Sequence, residues 1–272
     1  MKASNLLRLC LATQQFDELP LSDRLLREAL QAEVAVWSDP NVDWSRYDAV
    51  VVRSCWDYHL RPDEFLRWIN RVPVCLVNSA ELIRWNLDKR YLREFSESIP
   101  ETIWLDDHDT CDIAMVCRER GWQAAVVKPL ISASAYGTEK LSTGMATGPA
   151  MVQRYLPQIR DRGEWSLLYF GGVYSHAILK NPAPGDFRVQ KEFGGTYQHA
   201  DPPGDLLHFA TRVLQSLPQS PVIARVDLLE DGPVLMELEL IEPEIFLQGP
   251  ESVRRAADAI LADVAWNIRN TG

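Results

Sequence analysis

The sequence predicts two architectures in one chain: a parallel α/β unit first, then an α+β part built on antiparallel strands. Three observations predict this. Apolar runs of strand length alternate with runs of helical spacing up to about residue 80. After that point the apolar runs come in pairs joined by turn residues, as in "EWSLLYFGGVYSHAILK" around Gly171-Gly172. The chain has 272 residues, 46% hydrophobic and 24% charged, enough to bury one or two sizeable cores.

The elements follow in order. "LLRLCLA" reads as a first strand. The opening "MKASNLLRLCLATQQ" has too short an apolar run for a signal peptide, and Arg8 interrupts it. In "LSDRLLREALQAE", Leu21, Leu25, Leu26 and Leu30 share a helical face, with Ser22 or Asp23 as the cap. "AEVAVW" is a second strand. The continuous apolar run of "YDAVVVRSCW" suits a strand buried on both faces. "RPDEFLRWINRV" is an amphipathic helix with Pro in its first turn, and "VCLVN" is a strand. "AELIRWNLDKRYLREFSES" reads as one helical run, and "AAVVKPL" as a strand ending in lysine and proline. "ISASAYGTEKLS" is turn-like, and "MVQRYLP" is a short strand leading into a connection. Beyond the Gly171-Gly172 hairpin come a helix, "DLLHFATRVLQSL", a second hairpin, "RVDLLEDGPVLMELEL", and a last helix, "SVRRAADAILADVAWNIR".

Composition narrows the function. The net charge of -10 and the lack of a basic run disfavour a nucleic-acid partner. No run of about 18 apolar residues is present, so no membrane span is expected. Five cysteines without a Cys-x-x-Cys pair read as free thiols, and the expected location is cytoplasmic. The sequence leaves the oligomeric state open, a homodimer included.

The second hairpin is unusual because acids interrupt its apolar strands. Glu237 and Glu239 alternate onto one face. Asp227 joins them only if the paired residue numbers have an even sum, which an odd-numbered loop such as Glu-Asp-Gly or Asp-Gly-Pro provides; a two-residue turn would turn Asp227 away. The expectation is the odd loop. Three carboxylates on one face repel unless a cation lies among them, and an all-oxygen set suits Mg²⁺ or Mn²⁺. Groups for phosphate stand elsewhere: Lys128 at a strand end, then Ser132, Ser134 and Gly137 in a small-residue loop, Lys89 in "LDKR", and Arg188 in "GDFRVQKEFGG".

Lysine, lysine with a small-residue loop, arginine, then acidic strands: this series resembles the ATP-grasp superfamily of carboxylate–amine ligases. The resemblance runs from about residue 84 to residue 247, and the preceding α/β unit fits the domain such enzymes carry first. It implies an ATP-grasp fold with an N-terminal α/β substrate domain (1–83), a lid subdomain (84–154) and a C-terminal metal- and phosphate-binding subdomain (155–272). It further implies that Lys89, Lys128, Ser132 and Ser134 bind nucleotide phosphates, and that Gln153, Tyr155 and Leu156 border adenine. Glu164 would contact ribose, and Arg188 the transferred phosphate, with Lys180 in the same cavity. Asp227, Glu237 and Glu239 would hold Mg²⁺ or Mn²⁺. Glu239 departs from the pattern, because the superfamily most often has Asn there. Gln153-Arg154 stands where an acid is common, and the small-residue loop is poor in glycine.

A closer resemblance is carried by "VVVRSCWDYHLRPDEFLRWINRV", "RWNLDKRYL", "GEWSLLYFGGVYSHAILKNPAPGDFRVQKEFGGT" and "MELELIEPEIFL". These are similar to the small bacterial ATP-grasp group that includes D-cycloserine synthetase, which closes a ring within O-ureido-D-serine. The resemblance implies an ADP-forming ligase acting through an acyl phosphate on a small amino-acid-like substrate, in antibiotic biosynthesis. Three functions compete: an intramolecular cyclo-ligase, an intermolecular amide or peptide ligase, and a silent nucleotide-binding protein. Retention of the lysines, arginine and acids argues against the third. Arg53, Asp57, Tyr58 and His59 follow a buried strand, where α/β sheets bind ligands, and are the expected substrate readers.

Overall fold

The computed structural model describes residues 7–15 and 18–271. Residues 1–6 of the opening segment lie outside the described residues. The first unit is a four-stranded parallel sheet of β1 (Leu9–Thr13), β2 (Glu33–Val36), β3 (Ala49–Val52) and β4 (Cys75–Val77), in the order β2-β1-β3-β4. Strand β3 is buried along its whole length, as its unbroken apolar run requires. Helices α1 (Leu21–Leu30) and α2 (Pro62–Arg71) supply crossovers, and α2 begins on its proline.

Helix α1 differs from expectation in its buried face. Leu21 is exposed, while Ser22, Asp23, Leu26 and Leu30 are buried, and Pro20 rather than Ser22 or Asp23 occupies the cap position. The two polar residues are committed elsewhere. Asp23 pairs with Arg53 at 2.9 Å, and the Ser22 hydroxyl donates to Glu244. Satisfying buried polar groups outweighs the leucine periodicity here.

The stretch from Ala80 to Phe95 is likewise not one helix. Helix α3 (Ala80–Leu87) ends at Asp88, which is extended; a 3₁₀ segment, Lys89–Phe95, follows. The Lys89 N–H donates to the Leu130 carbonyl instead of continuing the α ladder. Tyr91 and Asn86 bond the backbone of Leu238, so this stretch packs on the C-terminal sheet.

The second sheet comprises β5 (Thr102–Leu105), β7 (Ala125–Pro129), β8 (Glu139–Leu141) and β10 (Ala150–Arg154), in the order β5-β10-β7-β8 and antiparallel. A small ribbon of β6 (Thr110–Asp112) and β9 (Met145–Thr147), with α4 (Ile113–Arg120), covers its side. These elements around α4 carry no clear periodicity of their own.

After the short α5 (Gln158–Arg162), five antiparallel strands form the third sheet: β11 (Glu164–Phe170), β12 (Val173–Asn181), β13 (Thr196–His199), β14 (Ile223–Leu229) and β15 (Val234–Glu239). Their order is β13-β12-β11-β14-β15. Gly171 and Gly172, both at positive φ, make the tight β11–β12 turn. Helix α6 (Gly204–Gln215) packs on one face through Leu206, Ala210 and Val213. The last helix, α7 (Gly249–Thr271), returns to the first unit: Ala256, Ile260 and Val264 join Leu26, Leu30 and Val77 in one core. No described helix is long and apolar enough to cross a membrane.

Candidate active site

Strands of the second and third sheets, with the start of α1 and the segment after β3 from the first unit, line one cavity of about 630 Å³. The expected nucleotide, metal and catalytic side chains line it: Lys89, Lys128, Ser132, Ser134, Gln153, Tyr155, Leu156, Glu164, Lys180, Arg188, Asp227, Glu237 and Glu239; Gly137 of the small-residue loop does not. Of the four expected substrate readers only Tyr58 does.

The acidic hairpin reaches its arrangement by a different route from the expected odd loop. Leu229 pairs with Val234, so the tip is a four-residue loop, 230–233, with the parity that turns Asp227 away. A bulge between Asp227 and Leu228 then shifts the register by one. Asp227 consequently stands opposite Glu237, and Arg225 opposite Glu239. The bulge does what the loop was expected to do.

Cations hold these acids apart. Arg225 bonds Asp227 at 2.9 Å and also Glu239. Lys180 lies 2.6 Å from Glu164 and 3.2 Å from Asp227, and Lys89 pairs with Glu237. Burial works against the Asp227 carboxylate, yet Arg225 and Lys180 hold its pKa well below the usual range. Burial likewise opposes charge on Glu237, but Lys89 and Lys128 keep its pKa low. Burial raises Glu239 to about 7, Arg225 only partly offsetting it. Glu242 is raised as well, through burial and then the neighbouring Glu239.

Among the described residues no cluster of three or more His, Cys, Asp or Glu side chains is close enough to hold a metal unaided. The donor set still fits Mg²⁺. That ion is usually held by one or two carboxylates together with substrate phosphates and water, rather than by an all-protein cage.

Lys128 is the penultimate residue of β7, paired with Met151 of β10, and makes no ion pair among the described residues. Burial lowers its pKa, with Glu237 partly opposing. The loop after it places Ser134 and Ala135 at positive φ, and Ser132 is buried against the Pro129 carbonyl. Just after β10 the Tyr155 amide donates to the Ala124 carbonyl. The buried Gln153 Oε1 and Tyr155 hydroxyl lack partners among the described residues. Arg188 faces the cavity from a loop in which Asp186 bonds its guanidinium at 2.8 Å and Phe193 stacks on it.

The remaining expected substrate readers are structural in their contacts. Arg53 is 2% exposed, tied to Asp23 and to the Pro243 carbonyl. Asp57 accepts from Trp37 Nε1 at 2.8 Å and pairs with Arg61. His59 Nδ1 lies 2.8 Å from the Trp56 carbonyl, and its ring rests against Tyr136. These residues close the strand end rather than opening onto the cavity. Cys55 is buried, with its pKa raised by that burial, so it offers no thiolate.

Sequence reasoning passed over Arg225, Trp56 and Glu242, which line the cavity, and Ser166, whose hydroxyl donates to Asp227. Arg225 and Ser166 had a signal: each is two residues from a recognised acid on the same strand face. Trp56 and Glu242 lie outside regular elements and had none.

Two antiparallel sheets and the first unit around one cleft, with paired lysines and an acidic hairpin, define an ATP-grasp ligase, an enzyme that forms a C–N bond. A family model for the N-terminal domain of D-cycloserine synthetase DcsG matches residues 7–78. The cycloserine biosynthesis protein DcsG of Streptomyces lavendulae is 32% identical over 271 aligned residues, covering 85% of this chain and 88% of that protein. The crystal structure of D-cycloserine synthetase DcsG superposes with a TM-score of 0.80 at 28% identity, over 94% of this chain and 99% of that one. The ATP complex of D-alanine–D-alanine ligase from Bacillus anthracis shares the fold, with a TM-score of 0.62 at 12% identity over 98% of this chain and 100% of that one. The chain belongs to the DcsG family.

Proposed function

We propose that this ligase closes a ring within a single amino-acid-derived substrate, using ATP and Mg²⁺ or Mn²⁺. The supporting observation is that the similarity to DcsG includes the N-terminal unit, residues 7–78, which brings Trp56 and Tyr58 to the cavity wall. ATP-grasp ligases of other specificity share the fold at far lower identity.

The residues divide as follows. Lys89 and Lys128, with Ser132 and Ser134, bind the nucleotide phosphates. Gln153, Tyr155 and Leu156 border adenine, and the unpartnered Gln153 Oε1 is an acceptor suited to an exocyclic amine. Glu164 contacts ribose. Asp227, Glu237 and Glu239 hold the metal ion, which when bound offsets phosphate charge. Arg188 contacts the transferred phosphate; Lys180 favours the ionised form of Asp227 and partly offsets the burial that raises the pKa of Glu164.

In the reaction the γ-phosphoryl group passes from ATP to a carboxylate oxygen of the substrate, and ADP is released. A nitrogen of the same substrate attacks the acyl carbon. The C–N bond forms, the C–O bond to phosphate breaks, and the nitrogen loses a proton. The chain's own contribution is positioning and charge compensation, with no protein nucleophile.

The test is ADP release from a panel of amino acids bearing a second nitrogen nucleophile, O-ureido-D-serine among them, with mass spectrometry of the products. A single substrate that gives one product by loss of water, or in the case of O-ureido-D-serine by loss of the elements of water and of the carbamoyl group, which together leave as carbon dioxide and ammonia, supports ring closure. Turnover only when two different substrates are supplied would replace it with intermolecular ligation.

A further inference from the structure

Glu242 follows β15 in the segment that joins the C-terminal sheet to the N-terminal unit. Three successive carbonyls of this segment are pinned from opposite sides. Trp56 Nε1 donates to the Glu242 carbonyl at 3.2 Å, Arg53 Nη2 to that of Pro243 at 2.8 Å, and Arg225 Nη1 to that of Glu244 at 3.4 Å. The Glu244 side chain is used within the fold as well, accepting from Ser22 and from the Phe246 amide.

The Glu242 carboxylate is different. The residue is only 7% exposed, it lines the cavity, and its carboxylate has no hydrogen bond or ion pair among the described residues. Of the cations around it, Arg225 is taken by Asp227 and Glu239 and Lys89 by Glu237; Arg53 gives Nε to Asp23 and Nη2 to the Pro243 carbonyl, while its buried Nη1 has no partner and forms no ion pair with Glu242. A buried carboxylate without a partner is costly, and a fold that fixes its backbone so firmly holds it ready for a cation from outside. Tyr58, another cavity-lining side chain, adds a phenolic oxygen on the N-terminal side.

We propose that Glu242 receives the α-ammonium group of an amino-acid substrate, with Arg53 and Trp56 as positioning residues that act through the backbone of 242–243. This rests on the ligase reading for the identity of the cleft. It has a chemical consequence. An α-nitrogen held as ammonium has no lone pair, so it cannot attack the acyl carbon, and a second nitrogen of the substrate must close the ring.

The test uses the full chain with Mg²⁺ and a non-hydrolysable ATP analogue. Calorimetry measures binding of O-ureido-D-serine and of its N-acetyl derivative, whose α-nitrogen is uncharged. Wild type should bind the free amine and reject the acetylated form. Glu242→Gln should weaken free-amine binding by about 100-fold, erase the discrimination, leave nucleotide binding unchanged, and melt at or above the wild-type temperature. Glu242→Asp should recover part of the discrimination. The proposal is overturned if wild type binds both compounds alike or neither, if Glu242→Gln binds the free amine as wild type does, or if that variant raises the Mg²⁺ requirement instead. If discrimination holds and yet no ring product forms, the ammonium site stands and the cyclo-ligase reading falls.

Discussion

Lys180 stands opposite Glu164 across the β11–β12 ladder, and its ammonium lies 2.6 Å from that carboxylate and 3.2 Å from Asp227. All three side chains are almost wholly buried. One cation thus serves two carboxylates of the cleft from the floor of the sheet. Burial opposes its charge, but Asp227 and Glu164 outweigh that and raise its pKa.

Replacing Lys180 with Met should therefore cost stability as well as activity. It leaves two buried acids short of a counter-charge, a loss of about 3 kcal/mol. Urea denaturation of the variant reads it directly. A midpoint within error of wild type would show that Lys180 is dispensable to the fold.

Lys128 should behave in the opposite way. It has no ion pair among the described residues, and burial already depresses its pKa. Lys128→Ala is expected to keep the wild-type melting temperature or exceed it, while ADP release falls by about 100-fold or more. Near-normal ADP release would make this lysine a structural residue only.

The two acids of β15 should separate by chemistry. Glu239→Asn removes a charge that burial disfavours but keeps an oxygen able to coordinate a hard cation. Partial ADP-forming activity with a higher Mg²⁺ requirement is expected. Glu237→Ala removes the partner of Lys89 and a ligand together, and nearly all activity should go. Mg²⁺ titrations of the two variants decide; equal losses would refute the division.

His176 gives a pH signature in the fold. Its Nε2–H donates to the Ile245 carbonyl at 2.9 Å, securing the segment that walls the cavity, and Ser175 bonds Nδ1. Burial lowers its pKa to about 4, and the facing His199 and Arg255 push the same way. The unfolded value is about 6.5. Above that pH the ring is neutral in both states. Below it the unfolded chain takes up the proton first, so stability is lost as pH falls from about 6.5 toward 4, by at most about 1.4 kcal/mol per unit. Between pH 6.5 and 5 wild type should lose about 1–2 kcal/mol more than His176→Gln in urea titrations. Parallel losses would refute the assignment.

The sequence by itself determined what local patterning encodes. The strand–helix alternation, the buried run of β3, the Gly171-Gly172 turn and the shared face of Glu237 and Glu239 all follow from side-chain periodicity and backbone preference within a few residues. The cavity-lining lysines, serines and Arg188 were legible too, through motifs of short span. Only the tertiary structure decided the rest. A bulge in the β14–β15 ladder, set by packing of the whole sheet, turned Asp227 toward Glu237 against the parity of the tip. Arg53 and Asp57, placed at a strand end where ligands commonly bind, were claimed by Asp23, Pro243, Trp37 and Arg61. Glu242 sits in a segment without periodicity, and its unpartnered carboxylate emerges only when residues nearly 190 positions apart meet. Periodicity reports which face of an element is apolar. Which polar groups find partners across the fold is settled by long-range contacts that no local pattern records.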